Sequence, residues 1–384
     1  MPLTPRTEAE LQERQRRGDL QVRSAAAYRA LVAERGLEAA YAATDVVVAS
    51  NAEFTDQATL QLSLGPSDPP IRVREFHLGG VEGRGGHGST ELLLPIGGGL
   101  GEPLRQGGAQ VLAALLAGDD VALVASGEAT TLHPRRELES RLSLERIGCG
   151  RLLLHRGIGE NGVVAVSSAE GLTRSPFGPL LGPYVTALYT CAGSGSIGLT
   201  MPGLSLLGPG SPVLVGGALG WVSGAGSGHM PHTRRLPSGH ARVPGAVAAV
   251  SADLHGLNSE WVRPCFFEGH GSGLLVAIAA PVPLTNATVA LQATAANDQL
   301  EAPVLDFSIP RRIKPGFGGV PYSQLLSGRI QVDGRQLSCA PAHSPRLAES
   351  IAIELIERLL SGHFPLRLPA LSLSGRSALI PLES

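Results

Sequence analysis

Glycine and proline constrain this chain more than any other feature: 50 of its 384 residues are Gly and 29 are Pro, while aromatic residues make up only 4%. Glycine supplies positive-φ turns and close backbone approaches, and proline interrupts helices, so the balance favours tight turns and short elements over long helices. Apolar residues, at 43%, suffice for a large core, which this length allows in one big domain or in two or three ordinary ones. Charge is sparse. With 17% charged residues and a formal net charge of -2, there is no electrostatic footprint for a phosphate backbone or an anionic lipid surface, so neither nucleic acid nor a membrane is an expected partner.

Local signals place the elements. Thr7 is positioned to cap a first helix with Glu8 and Glu10 in its opening turn, and Ser24 a second over 25–34, closed by Gly36. Residues 45–50 read as a buried strand, and 71–76 as another after the turn Ser67-Asp68-Pro69-Pro70. From Glu91 the pattern runs strand (92–96), Gly-rich turn, helix (109–116, ending at Gly118) and strand (121–125), a βαβ-like spacing. The middle is richer in strands, at 163–166, 213–215, 247–250 and 274–280. One amphipathic helix closes the chain over Pro345–Leu360, with Leu347, Ile351, Leu355 and Leu359 at a spacing of four. The expectation is an α/β fold with a mixed sheet, Gly-rich turns, a helical N-terminus and one long C-terminal helix, with α+β as the alternative. It forms a single domain over 1–384, with room for a small C-terminal subdomain from about residue 315.

The residues that carry chemistry are few. A single lysine, Lys314, sits in the charged, Pro-flanked stretch Arg311-Arg312-Ile313-Lys314-Pro315, which leaves Schiff-base and pyridoxal-phosphate mechanisms close to excluded. The four cysteines, Cys149, Cys191, Cys265 and Cys339, are widely spaced and make no metal-ligand pattern, so no zinc or iron–sulfur site and no bound cofactor is expected. The polar segment Met1 to Asp19 is not an apolar leader, and the apolar runs at 213–222 and 274–284 are short and interrupted by Gly or Pro. The expectation is a cytoplasmic protein with reduced thiols.

Two glycine loops stand out. Gly97-Gly98-Gly99-Leu100-Gly101 lacks the GxGxxG spacing, an acidic ribose partner and a GK[ST] step, so a turn needing positive φ is favoured over a phosphate loop. The second runs through Gly216-Gly217-Ala218-Leu219-Gly220-Trp221 to Gly228-His229, with His232, Arg234 and Arg235 beyond. It reads either as a carboxylate-binding loop with arginine as the bidentate partner or as a sharp loop with solvated basic residues.

Together the motifs become recognisable. Pro66-Ser67-Asp68-Pro69-Pro70-Ile71-Arg72, Gly107-Gly108-Ala109-Gln110-Val111, His133-Pro134-Arg135-Arg136-Glu137 and Gly178-Pro179-Leu180-Leu181-Gly182-Pro183-Tyr184 come first. The glycine loop with His229, Trp261-Val262-Arg263, Ala302-Pro303-Val304-Leu305-Asp306-Phe307-Ser308 and Pro321-Tyr322-Ser323-Gln324-Leu325 follow. In this order they resemble the homocysteine biosynthesis (aspartate-semialdehyde sulfurtransferase) family over nearly the whole chain. The resemblance implies a sulfurtransferase-like enzyme that takes sulfide and aspartate semialdehyde to homocysteine, a conversion needing two electrons. Archaeal members commonly carry or accompany a ferredoxin-like iron–sulfur partner. This chain contains no such segment, so the resemblance implies an external reductant, a separate iron–sulfur electron donor.

The family's two cysteines fall, by the same resemblance, at Asp56 and Leu132, and no cysteine precedes Cys149. Sulfur transfer commonly needs a thiolate, which makes Cys191 and Cys265 the substitutes; Cys191 lies in a Gly-rich turn whose N–H groups would lower its pKa. A buried cysteine is more often a small core hydrophobe. His133 and His229 are candidate general acids, with Arg135, Arg136 and Arg234 for the α-carboxylate. Asp306 suits either an α-ammonium or the cap of a turn. The alternative reading is a noncatalytic member that binds an amino-acid-like ligand or a partner enzyme.

Overall fold

Capping chemistry starts the chain as expected. Thr7 accepts a hydrogen bond from the Glu10 amide, and Glu10 accepts one from the Thr7 amide at 2.7 Å, so the helix Glu8–Arg17 opens on a reciprocal capping box. The computed structural model describes residues 3–101 and 105–383; the ends of the expected 1–384 domain, with Met1 of its polar opening segment, lie outside the described residues. Ser24 caps the second helix, which closes at Gly36 as expected; a short further helix then carries the chain on to Ala42. Gly36, at φ 79° and ψ 164°, leaves the helical region, and the turn beyond it buries Ala40 and Tyr41 in the main core.

Two mixed sheets organise the rest. The order in the larger one is Val22–Ser24, Val46–Thr55, Gly271–Pro283, Pro212–Val215, Ala218–Ala225, Val247–Asp253, Ile147–Gly159, Ala58–Leu64, Glu91–Pro95, Val81–Gly85, Val73–Leu78, Val121–Gly127, Glu137–Leu142. Val262–Phe267 adds to the Gly271–Pro283 strand as a hairpin. The smaller sheet runs Gly316–Pro321, Glu301–Asp306, Val164–Val166, Thr186–Tyr189, Arg335–Pro341, Arg329–Val332, and mixes parallel with antiparallel pairs. Together with the helices at both ends this is an α/β fold with mixed sheets. Residues beyond 315 complete the smaller sheet and then return to the larger one as the Pro345–Leu360 helix.

The βαβ-like reading around residues 91–125 is corrected. Glu91–Pro95 and Val121–Gly127 are separated in the sheet by Val81–Gly85 and Val73–Leu78, and every pairing among the four is antiparallel. The reason is local: Gly79 and Gly80 both hold positive φ and close a tight hairpin, which supplies the neighbours a crossover would otherwise bring together. The intervening helix, Gly108–Leu116, packs instead on the Val262–Phe267 and Gly271–Pro283 hairpin.

The strand Val46–Thr55 positions the site. Its alternate residues face two cores: Val46, Val48 and Ala52 meet Leu347, Ile351, Leu355 and Leu359 of the C-terminal helix, while Val47 and Ala49 face the main core. Further along, the second row changes from Val47 and Ala49 to Asn51, Glu53 and Thr55, and the apolar floor gives way to a polar cavity. Opposite it, pairing of Ile147–Gly159 with Val247–Asp253 is interrupted between Leu154 and Ile158. Arg156 lies in that interruption, where an irregular strand can re-aim a side chain.

Candidate active site

The cavity lies between the two sheets and encloses about 320 Å³. The larger sheet contributes Asn51, Glu53, Thr55, Arg156, Val276 and Ile278; the smaller contributes Thr190, Leu305 and Phe307; the loop after Phe307 brings Arg312 and Lys314. An apolar wall with a few converging polar groups is the usual build of a small-molecule site.

Glu53 is the most perturbed acid here. Burial drives its carboxyl up to about 7, against the opposing pull of a hydrogen bond from Asn51 and the charge of Arg156. Asn51 is fixed in orientation: its Oδ1 accepts from the Ile197 amide at 2.8 Å, so its Nδ2 must be the group that donates to Glu53, at 2.5 Å. Burial lowers the pKa of Arg156, and Glu53 opposes that shift. Among the described residues, neither Arg156 nor Arg312 donates to a protein acceptor. Lys314 donates to the Ile309 carbonyl at 3.0 Å and lies 4.7 Å from the centroid of the Phe307 ring. The cavity therefore combines a carboxyl poised near neutrality with two guanidinium groups left open for an anion.

At one end of the cavity Asp56 accepts a hydrogen bond from His270 Nε2 at 3.0 Å. That bond, more than any other influence, holds the Asp56 carboxyl below the usual range, although burial opposes it. His270 sits on the turn joining Val262–Phe267 to Gly271–Pro283, and Phe267 anchors that turn edge-on against Phe54, with centroids 5.1 Å apart.

The residues singled out in the sequence are dispersed. Cys191 is buried next to Thr190, and burial, then the charge of Glu53, pushes its thiol up to about 11, despite hydrogen bonding from Ser196 and the Gly193 backbone. The glycine turn lowers its pKa as expected, but burial outweighs it. Cys265 is pushed up to about 12 by burial and by Asp56. Leu132 is 77% exposed on the loop before Glu137–Leu142. Next to it, His133 meets Ser89 at 2.9 Å and Arg135 donates to the Glu137 carbonyl, while Arg136 is exposed. None of these lines the cavity. His229 is buried, with Nδ1 on the Val247 backbone at 3.0 Å, and burial lowers its pKa. Arg234 is exposed, whereas its neighbour Arg235 is committed to the fully buried Glu160. Glu160 also accepts the Gly203 and Ala246 amides at 2.7 and 2.9 Å. Asp306 is buried and caps its turn, accepting from the Ser308 amide at 2.9 Å and from the Ser308 hydroxyl at 2.6 Å, while Leu305 and Phe307 on either side line the cavity.

Glu53, Arg156 and His270 escaped the sequence reading, while Arg312 and Lys314 were named there without a binding role. Glu53 had a visible signal, an acidic residue nine positions into a run that starts Asp45-Val46-Val47-Val48-Ala49; Arg156 had only the glycine after it. Among the described residues, no group of three His, Cys, Asp or Glu side chains is gathered to hold a metal, and no helix is long and apolar enough to cross a membrane.

A sequence model described as homocysteine biosynthesis enzyme, sulfur-incorporation, matches residues 21–366. An L-aspartate semialdehyde sulfurtransferase of Methanosarcina acetivorans is 27% identical over 347 residues, covering 90% of this chain and 67% of the relative. One of the same name from Methanocaldococcus jannaschii is 26% identical over 375 residues, covering 94% of this chain and 71% of the relative. No solved structure matches the chain with significance.

Proposed function

The chain belongs to the sulfur-incorporating homocysteine biosynthesis family, and from that premise we propose that the cavity between its sheets binds aspartate 4-semialdehyde and directs sulfide sulfur onto the aldehyde carbon. Arg156, Arg312 and Lys314 supply the positive charge for the α-carboxylate. Glu53, whose carboxyl is raised to about 7 by burial, gives its proton to the aldehyde oxygen as sulfur adds. Loss of water from the adduct leaves a carbon–sulfur double bond, and two electrons with two protons convert it to the thiol of homocysteine. The electrons come from a separate iron–sulfur protein.

The observation that carries this reading is a single cavity in which a carboxyl poised near neutrality adjoins an unpaired guanidinium. The raised thiols of Cys191 and Cys265 support direct attack by sulfide over a persulfide on this chain.

The test supplies aspartate semialdehyde, sulfide and a low-potential reductant to the protein and to a variant with all four cysteines changed to Ser. Homocysteine is expected from both. No product above the protein-free background from the wild type overturns the reading, and product from the wild type alone returns the sulfur to a cysteine.

A further inference from the structure

We propose that Asp56 and His270 act as a dyad at the end of the cavity that takes the proton from the incoming sulfur nucleophile; this rests on the reading of the cavity as the sulfide-addition site. Asp56 belongs both to the cavity and to a second, open cleft that includes Thr59, His155 and Ser227, so it stands where the enclosed space meets solvent. His270 reaches it from the hairpin turn with 26% of its side chain exposed, Asp56 having 31%. A small uncharged nucleophile entering from solvent passes Asp56, and the imidazole hydrogen-bonded to it, before it meets Glu53.

The hydrogen bond fixes the tautomer. An ionised Asp56 accepts from Nε2–H, so the neutral imidazole carries its lone pair on Nδ1, for which there is no hydrogen-bond partner among the described residues. Asp56 is thus a positioning residue: it aims the ring and stabilises the imidazolium that forms. The surroundings hold the pair in place. A Cβ on Gly97 would come within 3.0 Å of the Asp56 carbonyl, so the backbone at Gly97 lies directly against this residue, and Phe267 braces the hairpin on Phe54.

The step balances. The S–H bond of hydrogen sulfide breaks and its proton goes to His270 Nδ1; the sulfur electron pair forms the C–S bond; the carbonyl π pair moves to oxygen, which takes the proton of Glu53. On loss of water the imidazolium proton leaves with the departing hydroxyl, and the remaining S–H proton returns to the Glu53 carboxylate. Both groups are then reset, with no net redox change.

The experiment measures homocysteine formation by the full chain under the conditions above for wild type, His270→Ala, His270→Gln and Asp56→Asn, with and without added imidazole. His270→Ala is expected to lose about 10²–10³-fold in kcat, the range of a positioned general base, and to recover part of that with imidazole. His270→Gln keeps a donor for Asp56 but cannot take a proton, so it is expected to stay folded and impaired without rescue. Asp56→Asn is expected to impair turnover more than substrate KM. Activity in His270→Ala or His270→Gln within about threefold of wild type overturns the dyad, as does a folded His270→Ala that imidazole does not restore; in both cases an active wild type leaves the function itself standing. An inactive wild type overturns both.

Discussion

Glu53 owes its chemistry to where the strand Val46–Thr55 ends. The same alternation that buries Val47 and Ala49 turns Glu53 toward the cavity, and crowding there raises its carboxyl from 4.5 to about 7. A general acid must be protonated, so kcat/KM is expected to fall as pH rises above about 7, and Glu53→Gln to remove that limb while lowering the plateau by about 10²–10⁴-fold, both read from a pH–rate profile. Stability follows the same sign. The folded value lies above the unfolded one, so the contribution of this group is complete below 4.5 and is lost as pH rises through about 7. The position of Glu53 in an apolar run was visible in the sequence, but the shift was not, because a glutamate is perturbed by what surrounds it in space. Asp306 illustrates the converse: as a turn cap it was one of the two readings its neighbours allowed, and its hydrogen bonds to Ser308 are local.

At the scale of elements, what was legible was what depends on a few adjacent residues. Thr7, Ser24 and the four-residue spacing of Leu347, Ile351, Leu355 and Leu359 placed helix starts and the C-terminal helix, since caps and apolar stripes are properties of one segment. The antiparallel meander through 73–127 was not legible, because pairing depends on which strand arrives as neighbour. The loop at 229–235 joins local and distant effects. Its Arg235 was read as a solvated or substrate-binding cation, but it is the partner of Glu160, which is fully buried. Arg235→Ala leaves that carboxylate with only backbone amides, and a loss of about 3–5 kcal/mol is expected, read as a lower denaturant midpoint. Replacing both residues by apolar side chains of similar size is expected to cost less, which a double-mutant cycle will report.

Over the whole molecule, the family was legible and the cavity was not, for related reasons. The motifs that carry the resemblance occur in order from Pro66 to Leu325 and can be matched without knowing what they touch. The cavity is assembled from segments near residues 51–57, 154–163, 190, 276–278 and 305–314, which come together only when both sheets have formed. The C-terminal helix supports that assembly from the far side of the Val46–Thr55 and Gly271–Pro283 strands. Leu355 is fully buried in that contact, so Leu355→Ala is expected to cost about 2–5 kcal/mol, measured as a lowered melting temperature.

The solitary lysine has a bearing on how this protein can be observed. Apart from its α-amino group, the chain carries its other permanent positive charge on guanidinium groups, which ordinary acylating reagents leave alone, so Lys314 is its one side-chain amine and it lines the cavity. A fluorophore or isotope tag attached through that nitrogen would report from the cavity itself, with no other lysine to blur the signal.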